Sequence, residues 1–272
     1  MTPSPTIAVV FLLRWEDAGW RAHARRFLAS YAAFDAGVGH RLYIALKGFD
    51  TEAAVAEAAV LCATVPHVPV VVEEAGRDIG AYLTMSRRID EPRVCFLNSH
   101  SQILCDGWLL KLDRNLDAPG VGLVGATGSY ESLHVIDPDF PAFPNPHLRT
   151  NGFMLDVALL HAITADVAIE GRRDAFMFES GALSMTNRVL ARDLRVLTVG
   201  RNGRGYDIDW WPWSDGFRQG RQTNLLVGDN QTRHFDALQR PERDLLAGQS
   251  WGVYRSRSTL PGWRTQKRPA IG

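Results

Sequence analysis

Apolar segments of strand length alternate with amphipathic segments along the first 125 residues of the chain. Residues 7–13 form a continuous apolar run, which is typical of a strand that is buried on both faces. Residues 20–34 instead repeat their apolar side chains at helical spacing. The pattern predicts strands at 7–13, 41–46, 68–72, 93–97 and 121–125, and helices at 20–34, 51–64, 78–89 and 106–116. This alternation predicts right-handed crossovers and an open, mainly parallel α/β sheet with helices on both faces.

The regular alternation ends near residue 128. Residues 129–149 contain several prolines and predict a long ordered loop. Helices are predicted at 153–163 and 178–190, and a strand is predicted at 194–199. The last part of the chain is rich in Trp, Gly, Arg and Asp, a composition that predicts irregular structure. We therefore expect a single domain over residues 1–254, with halves at 1–128 and 129–254, and a tail at 255–272.

Composition narrows the class of protein. The chain has 30 basic and 30 acidic residues, so it lacks the basic excess of a typical nucleic-acid-binding protein. Cys62, Cys95 and Cys105 lie in apolar surroundings without metal-ligand spacing, which predicts reduced thiols and a cytoplasmic protein. The apolar run near the N-terminus is too short for a signal core or a membrane span, although peripheral membrane contact stays compatible with the sequence.

Ligands of an open parallel sheet bind beyond the carboxyl ends of the strands, where the strand order reverses. That rule selects Arg14 and Trp15 after the first strand, residues 73–78 after the third and residues 98–101 after the fourth. The sequence has no G-x-G-x-x-G after the first strand and no G-x-x-x-x-G-K-[ST], which argues against the common dinucleotide and P-loop sites.

Several segments resemble family 2 glycosyltransferases of the GT-A fold, and one of them is also similar to the GRD-x-G segment of rhamnan-synthesis-type relatives. Their order along the chain follows the order in that family. The matching segments are 75–82 (AGRDIGAY), 96–101 (FLNSHS), 106–109 (DGWL), 121–125 (VGLVG), 150–154 (TNGFM) and 178–184 (FESGALS). The resemblance implies a GT-A-like sheet with a nucleotide-binding first half and an acceptor-binding second half.

The resemblance also implies a hexosyltransferase-type activity in bacterial polysaccharide synthesis, with a nucleotide-diphosphate sugar donor, a glycan or other hydroxyl acceptor, and Mn²⁺ or Mg²⁺. A diphosphate leaving group needs charge neutralisation, and an inverting enzyme needs a carboxylate base. The residues assigned in this way are Arg14, Asp78 and Asn98 for the nucleotide, His100 for the diphosphate or metal, Glu179 as catalytic base, Asn151 and Asp209 on the acceptor side, and His234 as a further metal ligand.

Two positions depart from the family's pattern. His100 stands where the family has a metal-ligating Asp, and its neighbours Asn98 and Ser99 are neutral. Imidazole suits Mn²⁺ or Zn²⁺ better than Mg²⁺, and a mechanism without metal is equally compatible with the Asn-Ser-His-Ser sequence. Ser180 stands where the family has its base, which leaves Glu179. The alternative function is therefore an inactive GT-A-like protein that binds carbohydrate or a protein partner.

Each assignment also has a structural alternative. Asp78 would serve as the N-cap of the following helix, and Glu179 as a first-turn acid that complements a helix dipole. His100 would be a polar loop residue, and Arg149 is either a diphosphate ligand or a surface arginine. Residues 229–234 are either a turn with a solvated helix or the source of the metal-ligating His234.

Overall fold

A computed structural model describes residues 6–72 and 76–255. The strands are β1 Ile7–Arg14, β2 Arg41–Lys47, β3 Val68–Val72, β4 Arg93–Leu97, β5 Gln102–Ile103, β6 Val121–Gly125, β7 Gly128–Ser129, β8 His147–Leu148, β9 Phe153–Asp156, β10 Arg195–Val199, β11 Gly205–Asp207 and β12 Val227–Gly228. The helices are α1 Trp20–Ala33, α2 Glu52–Cys62, α3 Arg77–Ser86, α4 Trp108–Leu116, α5 Val157–Thr164, α6 Arg172–Ser180, α7 Met185–Leu190, α8 Asn230–Ala237 and α9 Arg240–Trp251. Two 3₁₀ helices lie at Ile208–Trp213 and Gly252–Arg255.

The central sheet has eight strands in the order β11-β10-β6-β9-β4-β1-β2-β3. The pairs β1–β2, β2–β3, β1–β4 and β6–β10 are parallel, whereas β9 and β11 run antiparallel to their neighbours. The prediction of an open, mainly parallel α/β sheet is therefore confirmed. Strand order reverses between β1 and β4, so the carboxyl ends of these two strands border the crevice where such sheets bind ligands.

Helices cover both faces of the sheet, as predicted. Alternate side chains of β1 divide between two cores, with Val9 and Phe11 on one face and Val10 and Leu12 on the other. The first core is completed by α1, α2 and α4, and the ring of Phe11 stacks on that of Phe27 with centroids 3.8 Å apart. The second core is completed by α3, α5, α6 and α7. A continuous apolar run is what a strand with two buried faces requires.

The predicted strands of the first half coincide with β1, β2, β3, β4 and β6 to within one residue at each end. Local chemistry explains some of these boundaries. Thr51, predicted to begin the second helix, accepts a hydrogen bond from the backbone N–H of Ala54 at 3.2 Å and so caps α2. The three cysteines are free and buried, in agreement with the prediction of thiols.

The prediction of one helix over 153–163 is wrong. Residues Phe153–Asp156 form β9, which inserts between β4 and β6, and only then does α5 begin. The prediction over 178–190 is also wrong, because α6 ends at Ser180 and Ser184 caps a separate helix, α7. In both segments an apolar run has helical length, and periodicity alone does not distinguish a short buried strand from a helix.

The C-terminal part is less irregular than predicted, since it contains β11, β12, α8 and α9. Residues 129–149 are mainly loop, as predicted, apart from the short pairing of β7 with β8. Of the predicted tail, residues 256–272 lie outside the described residues. Over the described ranges, no helix combines the length and the apolar character needed to cross a membrane. The division into halves stays a prediction.

Candidate active site at the carboxyl ends of β1 and β4

Arg14 ends β1 and connects the two sides of the crevice. Its Nη1 atom lies 3.2 Å from Asp17 Oδ1, in the turn after β1, and 3.5 Å from Asp78 Oδ1 on α3. The side chain of Arg14 is only 13% exposed, so its charge acts in a partly desolvated place. The next residue, Trp15, is 40% exposed at the same strand end. The structure therefore brings together Arg14 and Asp78, two of the residues predicted to hold the nucleotide.

The alternative in which Asp78 is the N-cap of the following helix is wrong. Gly76 occupies the N-cap position of α3, and Asp78 lies in the first turn, with an Oδ1 atom that accepts no hydrogen bond from the residues described. Burial raises the pKa of the Asp78 carboxyl, Arg14 opposes this, and the carboxylates of Asp17 and Glu179 raise it further. A desolvated carboxylate near other carboxylates is costly for stability, and such groups concentrate at functional sites.

The backbone before Asp78 is strained as well. Arg77 has φ of +43°, a left-handed conformation that is unfavourable for a side chain with a Cβ atom. Its carbonyl accepts a hydrogen bond from Lys47 Nζ at 2.6 Å, at the end of β2. The neighbouring Gly76 has no space for a larger residue, because an added Cβ would lie 2.6 Å from the carbonyl oxygen of Ile169. The hydrogen bond from Lys47 and the close contact with Ile169 therefore hold this strained start of α3 in place.

The loop after β4 is held by its own side chains. Asn98 Oδ1 accepts from the backbone N–H of His100 at 3.0 Å and from the hydroxyl of Ser101 at 3.2 Å. The Ser101 hydroxyl also lies within hydrogen-bond distance of Asn151 Oδ1. Asn151 is buried, and its Nδ2 atom has no partner among the described residues. Asn98 and Asn151 thus lie in one network, in which the Asn98 oxygen is used to shape the turn.

His100 lies next to a second histidine, which belongs to α1. His23 of α1 packs its ring against that of His100 with centroids 4.3 Å apart. Together with Asp17 they form a cluster in which one possible ligand atom of each residue lies within 4.8 Å of the others. Ser99 donates a hydrogen bond to Asp17 Oδ2. The sequence pattern of α1 does not predict this cluster, because residues 17, 23 and 100 are brought together only by the sheet topology.

The divalent ion implied by the resemblance can be compared with these donors. Mg²⁺ prefers oxygen ligands in octahedral geometry, but here the side-chain oxygen of Asn98 is occupied and Asp17 is the single carboxylate of the cluster. Two imidazoles and a carboxylate suit Mn²⁺, Zn²⁺ and similar ions. The residues therefore fit a transition-metal ion and do not fit Mg²⁺.

Glu179 has an unusual position for a helical acid. It is the last residue but one of α6, where the helix dipole disfavours a negative charge. The alternative in which Glu179 is a first-turn acid that complements a helix dipole is therefore wrong. Its Oε1 atom accepts hydrogen bonds from the backbone N–H of Thr150 at 3.0 Å and from the Thr150 hydroxyl at 3.2 Å. Both contacts aim the carboxylate at the segment between β8 and β9. The same segment contacts α3, because the Tyr82 hydroxyl donates to the carbonyl of Thr150 at 3.4 Å.

A cavity of about 630 Å³ opens in front of Glu179. Its inner wall includes three basic or titratable side chains, those of His147, Arg149 and Arg218. Its outer lip carries Val135 and Ile136, which are 97% and 83% exposed. The size and the combination of an apolar lip with a few polar groups are typical of small-ligand sites.

The structure revises the alternatives for Arg149, which is a largely buried residue rather than a surface arginine. Its Nη1 atom donates to Asp229 Oδ2 at 2.9 Å, and its guanidinium lies 4.2 Å from the centre of the Phe217 ring. Asp229 in turn caps α8 by accepting from the backbone N–H of Thr232 at 2.9 Å. The segment 229–234 is thus a turn followed by a helix, with its acid fully buried.

Two predicted site residues lie apart from this group. Asp209 is in the first 3₁₀ helix, beyond β11, which runs antiparallel to β10 and therefore leads away from the carboxyl edge of the sheet. His234 is exposed on α8, and it does not join the cluster of His23 and His100 found among the described residues. Both assignments stay predictions without support from neighbouring groups.

Several solved structures are similar to this chain at low identity. A mannosyltransferase from Pyrobaculum calidifontis, in complex with GDP-Man and Mn²⁺, has 14% identity and a TM-score of 0.48, and the similarity covers 72% of this chain and 55% of that one. A 4-diphosphocytidyl-2C-methyl-D-erythritol synthase from Anaerococcus prevotii has 12% identity and a TM-score of 0.49, covering 72% and 88%. Mouse xyloside xylosyltransferase 1 has 13% identity and a TM-score of 0.39, covering 64% and 80%.

This chain thus spans about half the length of the mannosyltransferase. No family model matches the sequence. No curated protein matches it either. Identities this low do not define an activity, so the fold class rests on the sheet order and the helices described above.

Proposed function

We propose that this protein is a glycosyltransferase that moves a sugar from a nucleotide-diphosphate donor to a hydroxyl acceptor. One observation carries the proposal: α3, which bears Asp78, packs against α6, which bears Glu179, and the Tyr82 hydroxyl of α3 donates at 3.4 Å to the carbonyl of Thr150, whose N–H donates to Glu179. Asp78 faces the crevice between β1 and β4, and Glu179 faces the 630 Å³ cavity. A donor in the crevice and an acceptor in the cavity would meet between them.

The donor side would be formed by the first half of the chain. Asp78 has an oxygen atom without a hydrogen bond from the described residues, and it suits the ribose hydroxyls of a nucleotide. Arg14 would hold Asp78 in place and attract the diphosphate. The exposed ring of Trp15 offers a surface for the base. His100 would lie at the diphosphate, and a divalent ion held there would neutralise charge on the leaving group.

The acceptor side would be formed by the second half. Glu179 is the proposed general base, and its carboxylate would take the proton of the acceptor hydroxyl as the sugar is transferred. Thr150 aims this carboxylate through its N–H and its hydroxyl. Asn151 would support the same segment through Ser101. We propose a glycan acceptor of bacterial polysaccharide synthesis, and the relation to rhamnan-synthesis-type enzymes is part of this proposal.

The test is consumption of nucleotide-sugar donors by the purified protein, with Glu179→Gln as the variant and Glu57→Gln as the control. Glu57 is an exposed acid on α2 that pairs with Arg21, and neither residue is assigned to the donor or the acceptor. Loss of a general base lowers turnover by about 10²–10⁴-fold, while donor binding should persist. Glu57→Gln should behave as wild type.

The alternative is a binding protein without catalysis, and the departure that favours it is Ser180 at the family's base position. Ser180 is buried, and its hydroxyl donates to the carbonyl of Phe176 at 3.3 Å. This alternative would be supported if the wild-type protein binds a donor but does not consume it with any of a range of glycan acceptors.

A further inference from the structure

We infer that His23, His100 and Asp17 form a binding site for one divalent transition-metal ion. The three residues come from α1, from the loop after β4 and from the turn after β1. One possible ligand atom of each lies within 4.8 Å of the other two. Ligands around one ion are separated by somewhat less than this, so small side-chain rotations would bring all three to bonding distance.

The two imidazoles carry unused polar atoms. The Nδ1 atoms of both His23 and His100 are buried and have no hydrogen-bond partner among the residues that the structure describes. A buried polar atom without a partner costs about 1–3 kcal/mol. Two such atoms on rings that contact each other are an unusual arrangement for histidines with a purely structural role, and a bound ion is one way in which the pair would be satisfied.

The donor set selects the class of metal. Two imidazole nitrogens and one carboxylate leave further coordination positions open, and this set suits Mn²⁺, Fe²⁺, Co²⁺ or Zn²⁺ rather than Mg²⁺. Binding requires both imidazoles in the neutral form.

The surroundings hold the carboxylate ligand in place. Ser99 donates to Asp17 Oδ2, and Arg14 Nη1 lies 3.2 Å from Asp17 Oδ1. Residues that orient a metal ligand in this way are common around metal sites. Arg233 also donates to the carbonyl of His100 at 3.2 Å, which fixes the loop that carries the second imidazole.

The site also deepens the proposed function, and this part of the inference rests on it. Arg14 contacts both Asp17 and Asp78, so the metal would lie beside the proposed nucleotide position. The binding of metal itself is independent of any transferase activity, and it can be measured without nucleotide.

The experiment is isothermal titration of metal-free, full-length protein with Co²⁺, Zn²⁺, Mn²⁺ and Mg²⁺ in the absence of nucleotide, supported by the visible absorption of the Co²⁺ complex. We expect one equivalent of Co²⁺ or Zn²⁺ to bind, and Mg²⁺ to bind far more weakly. The variants His23→Gln and His100→Gln should each weaken binding by about 100-fold or more, and Ser99→Ala by about 10–100-fold. His234→Gln tests the further metal ligand predicted from the sequence, and it should leave binding unchanged, because His234 lies outside the cluster found among the described residues.

Binding that is unchanged in both His23→Gln and His100→Gln, or that is lost in His234→Gln, would overturn the assignment. Absence of Co²⁺ and Zn²⁺ binding by wild-type protein would overturn it too. Thermal unfolding of each variant shows whether it is folded, and Ser99→Ala gives a second measurement that leaves both imidazoles intact. Metal binding without donor turnover would contradict the proposed function alone, whereas donor turnover without metal binding would contradict this inference alone.

Discussion

The buried ion pair between Arg149 and Asp229 allows a quantitative prediction about stability. Asp229 is fully buried, the side chain of Arg149 is 16% exposed, and their closest atoms are 2.9 Å apart. Replacing one partner of a buried pair leaves an uncompensated charge and costs about 3–5 kcal/mol. Asp229→Asn removes the charge but keeps an oxygen that can cap α8, so we expect it to lower the free energy of unfolding by about 3 kcal/mol.

Asp229→Ala separates the two roles of this residue. It removes the ion pair and also the cap, in which Asp229 Oδ1 accepts from the backbone N–H of Thr232 at 2.9 Å. Loss of such a cap costs about 1 kcal/mol, so Asp229→Ala should be less stable than Asp229→Asn by about that amount. The measurement is urea unfolding at neutral pH, followed by circular dichroism. Glu57→Gln, which breaks an exposed ion pair with Arg21, is the control and should change little.

The pH dependence gives a second measurement of the same pair. Burial alone would raise the pKa of Asp229, but Arg149 and the hydrogen bonds from Thr232 outweigh it and hold the pKa below its ordinary value. A carboxyl with a lowered pKa stabilises the fold above its unfolded pKa of about 4 and loses this contribution as the pH falls further. Wild type should therefore lose more stability on acidification than Asp229→Asn. A cost below about 0.5 kcal/mol for Asp229→Asn would refute the view that Arg149 depends on this carboxylate.

Two further substitutions test the site and the fold. Asp78→Asn should raise the melting temperature at neutral pH, because the pKa of Asp78 is raised and its ionised form destabilises the fold as the pH rises through that pKa. Donor binding, measured by calorimetry, should weaken at the same time. A drop in melting temperature would show that Asp78 is a structural residue. Gly128→Ala would place a Cβ atom 2.6 Å from the ring of the fully buried Trp211. Urea unfolding should therefore show that the free energy of unfolding falls by about 1–3 kcal/mol. Wild-type stability would contradict the close packing of β7 against Trp211.

The first half of the fold was predictable from the sequence because its strands are buried on both faces. Residues 7–13 of β1, for example, are apolar throughout and are followed by a helix with clear periodicity. The strand Phe153–Asp156 was not predictable in the same way. It has four residues, it continues directly into α5, and its insertion between β4 and β6 depends on contacts that are distant in sequence.

The candidate site was predictable where strand ends could be located. Arg14 and Asp78 follow from the rule for ligand sites in parallel sheets, and the structure joins them. His23 could not be found, because one histidine on a helix carries no signal until the fold brings it to His100. The burial of Arg149 was missed for a similar reason, since its partner Asp229 lies 80 residues further along the chain.

The central claim is that the crevice between β1 and β4 binds a nucleotide-sugar donor. The most direct measurement is the melting temperature of the protein with UDP-, GDP-, CDP- and dTDP-sugars, each in Mn²⁺, in Mg²⁺ and in EDTA. A ligand that binds only the folded state at 100 times its Kd stabilises it by about 2.7 kcal/mol. We predict a rise in melting temperature with one nucleotide, larger with Mn²⁺ than with Mg²⁺ and reduced in Asp78→Asn. No rise with any of these donors, in protein shown to be folded, would contradict the claim.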